Sequence, residues 1–301
     1  MTYWAVPWFF TVSGYFLVPS LEKRTFVDFC KAKAHSLLIP FLLWSIWGYI
    51  VASLSASEFK DINICDIFAC GNVLAPMYNT ALWYVRSLML FFLLYVVIHV
   101  FTKNVGVLRS HELFRIILNV IVFAFVCCII MRYFKLCGPK TSPFYFCAGI
   151  VIMAFTKAGY CNYSTKRCIA IGACCLLASV VSRIVWLLQG WTFYNPGGTL
   201  INNLSVITFI TSIVLLRAPF RADCPPRPLV KVVDTSAFIY FAHRPLTMAI
   251  INPLRETKLS VTELEIVFWL SLVLFPLSCL IVTRVFRWRF PAVYNILSGG
   301  R

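Results

Sequence analysis

Carboxylates are scarce in this chain. Asp and Glu together number 11 among 301 residues, and none lies well inside an apolar run. Proton-coupled transport commonly relies on buried carboxylates, so that class is left without its usual machinery. Charge of either sign is low, 13% of residues against 60% hydrophobic, which excludes an ordinary soluble domain. The P-loop, the GxSxG elbow, HExxH and the dinucleotide fingerprint are all missing, and the soluble-enzyme classes they serve go with them. No repeat recurs at a solenoid period, and no paired broken helices suggest an inverted-repeat transporter. The 13 cysteines include no CxxC pair with metal-ligand spacing, and no metal site is expected. Cys127, Cys128, Cys174, Cys175 and Cys279 fall in apolar runs, where cysteine acts as a small hydrophobe.

What is abundant is length of hydrocarbon. A bilayer core is about 30 Å thick and takes ~20 apolar residues to cross as a helix. Nine runs approach that length: 3–18, 37–55, 81–101, 114–134, 143–156, 168–188, 201–216, 234–252 and 265–284. No connection between them is long enough for a separate soluble domain. The expected fold is all-α, a polytopic helical membrane protein forming one domain over residues 1–301. The first run lacks a basic lead-in and a small-residue cleavage site, so it does not read as a signal peptide.

Basic residues divide by side. Connections 19–36, 102–115, 157–167, 217–233 and 284–301 hold 18 of the 27 Lys and Arg. The alternate connections hold six, and Arg86, Arg183 and Arg244 lie inside runs. The positive-inside rule puts the first group and the carboxy terminus in the cytoplasm, and the amino terminus outside. Tyr3, Trp4 and Trp8 suit an outer aromatic belt. Cys65 and Cys70 then share an outside loop, where an oxidising compartment would permit a disulfide. A helix that starts outside without flanking charge inserts awkwardly; a preceding helix starting in the cytoplasm would remove the difficulty.

Ionisable groups within apolar runs are the first candidates for function, because a mid-membrane charge costs ~2.5–3.5 kcal/mol even on lenient scales. Arg86 in "ALWYVRSLMLFF" lies about one turn below the outer end of its run, beside Trp83, and Arg183 lies at similar depth. Both either snorkel to the interface or line an outer pocket for hydroxyl-rich or anionic groups. His243 and Arg244 in "SAFIYFAHRPLTMAII" sit at mid-span, with Tyr240, His243 and Thr247 on one helical stripe. Pro245 disturbs the carbonyl of Phe241, so this stretch is either a kinked, hydrogen-bonded core or the lining of a cavity. Ser13-Gly14 reads first as a close helix contact. "LEKRTFVDFCKAKAHSLLIPF" gathers Lys23, Arg24, Lys31, Lys33 and His35, either for topology and lipid attraction or as a phosphate-binding patch. His99 and His111, near the same interface, carry no specific signal.

In order along the chain, five segments resemble the acyltransferase 3 family. "FFTVSGYFLVP" resembles its FFxxSG(F/Y)LL segment and "FCKAKAHSLLIPFLLW" the basic segment that follows. "LWYVRSLMLFFLL", "SPFYFCAGIVI" and "SAFIYFAHRPL" resemble LWFLRALF, PFFLFGYLL and SFGIYLLHFPL. The matches run from Trp8 to about Leu246. Family members usually have ten spans, and the unmatched one is the first, which carries an arginine and, further along, the family's catalytic histidine. The resemblance therefore implies that "FFTVSGYFLVP" is a second helix and that the chain as given lacks the catalytic one.

The resemblance implies O-acylation of cell-envelope polysaccharide. An acyl group, acetyl first, would pass from a cytoplasmic thioester, acetyl-CoA, to a hydroxyl of a surface sugar or lipid-linked precursor. Its place would be the bacterial inner membrane. Arg24, Lys31, Lys33 and His35 would form the donor mouth, although Lys33 and His35 stand where the family more often has Arg or Lys. Ser13, Trp83, Arg86, Arg183 and Tyr240 would form the acceptor pocket. His243 and Arg244 are the mid-membrane base and cation, in a role supporting the acyl path. No bound cofactor and no nucleic-acid partner are expected. A transporter or flippase for an anionic or sugar-linked lipid is the reading from another class, and a non-catalytic remnant is the third. Oligomeric state is open.

Overall fold

The computed structural model describes residues 5–55, 82–104, 111–133, 142–159, 238–240, 242 and 261–299, with positions 166, 167, 170, 171, 173, 174, 177 and 181. Among the described residues nearly all are helical and none forms a strand. Arg183, His243 and Arg244 lie outside them, as do the run 201–216 and the pair Cys65 and Cys70. Eight α-helices carry the description: α1 (Ala5–Glu22), α2 (Phe26–Lys33), α3 (Ile39–Ser55), α4 (Trp83–Lys103), α5 (Glu112–Tyr133), α6 (Ser142–Lys157), α7 (Val261–Arg289) and α8 (Pro291–Ser298). Among the described residues three stretches are long and apolar enough to cross a membrane: Phe26–Val51, Trp83–Lys103 and Glu112–Ile130.

Hydroxyls inside these helices bond back to their own backbone. Ser45, Ser87, Thr156 and Thr283 each donate to the carbonyl four residues earlier, at 2.6–2.9 Å. In lipid such groups have no water to turn to, so internal satisfaction is required.

Two compact units emerge. The described residues of the first fall within Met1–Thr25, Leu90–Phe134 and Pro139–Pro225; those of the second fall within Phe26–Met89 and Pro226–Arg301.

In the first unit α1 packs along α6, and the contact is backbone on backbone. A Cβ on Gly14 would meet the carbonyl of Phe146, and one on Gly149 would meet the carbonyl of Thr11. The two glycines thus serve each other's helix. Lipid tails are as apolar as leucine, so close packing, rather than water exclusion, holds such helices together. Beside this contact Phe91 meets Phe10, Phe123 and Phe146 with ring centroids 5.4–5.6 Å apart. Tilted and edge-on pairs of this kind contribute ~0.5–1.5 kcal/mol each.

Two local features differ from the sequence expectation. Helix α1 passes through Pro19 to Glu22, and Lys23 N–H still reaches the Pro19 carbonyl at 3.3 Å. Proline removes one donor, which one missing bond near a helix end accommodates. The expected loop 19–36 is therefore a short turn and then α2, which has Asp28 in its first turn and Lys31 and Lys33 in its last. That order matches the helix dipole.

In the second unit α2 runs into α3 through a π-helical turn, Ala34–Leu38, in which Ile39 N–H bonds the Ala34 carbonyl. Pro40 has no N–H to offer the Ser36 carbonyl, which explains why the ladder loosens here. That carbonyl instead faces Gly299, whose φ of 79° ends α8 in the left-handed region. Pro291 opens α8 at a position where its missing donor costs nothing. Trp44 Nε1 donates to the Leu297 carbonyl at 3.1 Å, joining α3 to α8.

Candidate functional site

Arg24 sits exposed in the turn that closes the first unit. Lys31, Lys33 and His35 belong to the second unit and do not form a row. Lys31 and His35, four apart, share a helical face and are exposed. Lys33 folds back with Nζ 5.5 Å from the ring centroid of Phe29, which is buried. A cation over a ring is worth ~0.5–1 kcal/mol at exposed sites. The π turn carries His35, and such turns often mark functional positions.

The acceptor candidates separate. Trp83 and Arg86 share a face of α4 at i, i+3, in the part of that helix belonging to the second unit. Arg86 is half-buried, with its Nε and Nη2 shielded from solvent. Tyr84 meets Trp83 edge-on at 6.4 Å and Tyr240 at 5.7 Å. Trp83, Tyr84 and Tyr240 are thereby linked ring to ring, with Arg86 one turn further along α4. Tyr84 was not among the sequence candidates; its signal is its place between Trp83 and Arg86 in "LWYVR". Ser13 is half-buried on α1 in the first unit, next to the Gly14 contact.

The first unit also holds polar groups that the sequence did not single out. His99 on α4 is 8% exposed, and its Nδ1 lies 3.4 Å from Asn119 Nδ2 on α5. Tyr95 stacks on the imidazole at 6.2 Å. Side-chain hydrogen bonds between membrane helices average ~0.6 kcal/mol, so this one locks α4 to α5 modestly. At the helix ends Lys157 Nζ donates to Glu22 at 2.9 Å and to Glu112 at 2.6 Å. Partial burial alone would lower the Lys157 pKa, but the two carboxylate hydrogen bonds outweigh it and raise the pKa above the ordinary value. Two of the chain's few carboxylates thus serve as anchors for one lysine.

Among the described residues no group of three His, Cys, Asp or Glu could hold a metal ion. The described cysteines Cys30, Cys127, Cys128, Cys147, Cys174 and Cys279 are all free thiols.

A family model described as an acyltransferase domain, that of acyltransferase 3, matches residues 1–285. Comparison with curated proteins and with solved structures finds no match.

Proposed function

Because the chain belongs to the acyltransferase 3 family and is a membrane acyltransferase in kind, we propose that it moves an acetyl group from cytoplasmic acetyl-CoA to a hydroxyl of a cell-envelope sugar. The observation that carries this reading is the extent of the family match, residues 1–285, nearly the whole chain. The membrane would be the bacterial inner membrane, and the acceptor a lipid-linked or polymeric carbohydrate.

The chemistry sets the requirements. The sugar oxygen attacks the thioester carbonyl, a C–O bond forms, the C–S bond breaks, and the hydroxyl proton ends on the departing thiolate. A base must take that proton first, and a neutral imidazole suits the task near pH 7. A cation or hydrogen-bond donor must hold the oxyanion that develops on the carbonyl. We assign His243 and Arg244 to support of the acyl path, as the mid-span base and cation of the sequence. Lys31, Lys33 and His35, all on one unit, take the donor's phosphates. On the acceptor side Trp83 and Tyr240 offer ring faces on which a sugar stacks, and Arg86 offers hydrogen bonds to its hydroxyls.

The test is direct. Membranes containing the chain joined to the family's arginine- and histidine-bearing first helix are incubated with radiolabelled acetyl-CoA and a polysaccharide precursor. Label recovered in alkali-labile esters is the expected result. Uptake of precursor without esterification would make the chain a transporter instead.

A further inference from the structure

The second unit contains a cavity of about 500 Å³. Its walls include Leu43 and Ile46 of α3, Val282 and Phe286 of α7, and Val293 and Leu297 of α8. Every lining residue is an aliphatic, phenylalanine or tryptophan side chain, and the Trp44 indole N–H is already bonded to the Leu297 carbonyl. Leu43, Ile46 and Val293 are 38–45% exposed, so the cavity opens at the protein surface. Pockets of a few hundred Å³ suit a single small ligand. With walls like these the part of the ligand inside is hydrocarbon.

The mouth is cationic. Residues 266–283 of α7 carry no charge, and then Arg284, Arg287 and Arg289 follow within two turns. Val282, Phe286 and Arg289 stand at i, i+4 and i+7, so an exposed arginine continues the groove-lining face by one turn. Arg287 lies 5.8 Å over the Tyr294 ring, and Tyr294 stacks at 5.3 Å on Phe238, another lining residue. Beyond Glu265 the sequence contains no Asp or Glu, and α3 contains none. Nothing acidic on those helices neutralises the mouth. The positive-inside rule makes this end the cytoplasmic one.

An apolar groove that ends in uncompensated arginines at a membrane interface matches one class of ligand. We propose that this groove is a specific site for an anionic glycerophospholipid of the cytoplasmic leaflet, with an acyl chain between α3, α7 and α8 and its phosphate at Arg289 and Arg287. Basic pockets between membrane helices on that side are suited to anionic headgroups, at ~1 kcal/mol per basic residue near the surface. The cytoplasmic leaflet supplies that lipid without any transport step.

Native mass spectrometry of the purified full chain tests this, with phosphatidylglycerol and phosphatidylcholine of identical acyl chains as probes. Phosphatidylglycerol should be retained about fivefold better. Arg289→Gln, alone or with Arg287→Gln, should remove the preference, and Val293→Trp should reduce retention of both lipids while the protein still elutes as the same species. Equal retention by the unmodified chain overturns the proposal. So does a preference that survives the glutamine variants, or retention unaffected by Val293→Trp. Displacement of phosphatidylglycerol by an equimolar long-chain acyl-CoA would give the groove to the donor and overturn it as well. Lipid retention is read without turnover, so this result is independent of whether acyl transfer is observed.

Discussion

The two units solve the problem of helix packing in opposite ways. Among its described residues the first packs closely: glycine backbone lies on backbone between α1 and α6, and phenylalanine rings pack beside it. The second leaves about 500 Å³ open between α3, α7 and α8, and ties its helices at single points such as Trp44 to Leu297 and Gly299 to Ser36. Lipid offers no water-driven penalty for a gap, so a groove persists where hydrocarbon can occupy it. Density serves stability in one unit, and space serves a ligand in the other. Helix α2 with the π turn that follows it, the Trp83–Tyr84–Tyr240 chain and the groove all belong to the open unit.

The comparison breaks first where the packing is tightest. Gly14→Leu or Gly149→Leu should cost at or above the upper end of the ~1–3 kcal/mol typical of overpacking, because backbone carbonyls cannot rotate away. Fluorescence-detected size exclusion should show loss of the folded species. The same measurement on Val293→Leu, which adds a carbon to the open groove, should show a change within ~0.5 kcal/mol. Equal damage from both would erase the distinction between the units. Gly299→Ala comes next: a left-handed φ costs an ordinary residue ~1–2 kcal/mol, and the new Cβ also meets Ser36. A lowered thermal midpoint is the readout. Smaller again is the His99–Asn119 link, for which a double-mutant cycle with leucine should give a coupling of ~0.6 kcal/mol. The smallest effect belongs to Lys157→Met, within ~1 kcal/mol and weaker at high salt, since the ion pairs are about half exposed.

The sequence made the helical class plain, because long uncharged runs have few other solutions. It also identified Ser13-Gly14 as a close contact, since small residues in a membrane helix have one common use. It did not reveal that Gly149 is the partner, because both glycines are equally good contacts with any helix until the bundle is formed. The π turn has no residue signature except Pro40 downstream, and the expected loop 19–36 hid α2 behind its charges. His99 looked inert because its partner, Asn119, lies twenty residues away on another helix. It follows that His99→Ala would lose this contact between α4 and α5. On the candidate site, Trp83, Arg86 and Tyr240 were readable one by one, while Tyr84, the ring between Trp83 and Tyr240, was not. The basic patch was legible as charge only; which lysine faces outward depends on helical phase, and the π turn shifts that phase.

The central claim is that the donor engages the exposed basic face at Lys31 and His35, on the cytoplasmic side. The most direct measurement follows acetyl transfer in sealed vesicles of known orientation, with labelled acetyl-CoA on one side only. Label should enter ester when the coenzyme has access to the cytoplasmic face, and Lys31→Glu with Lys33→Glu should raise its apparent KM while leaving that of the acceptor nearly unchanged. Equal transfer from the opposite face, or an unchanged donor KM in the double variant, would contradict the account.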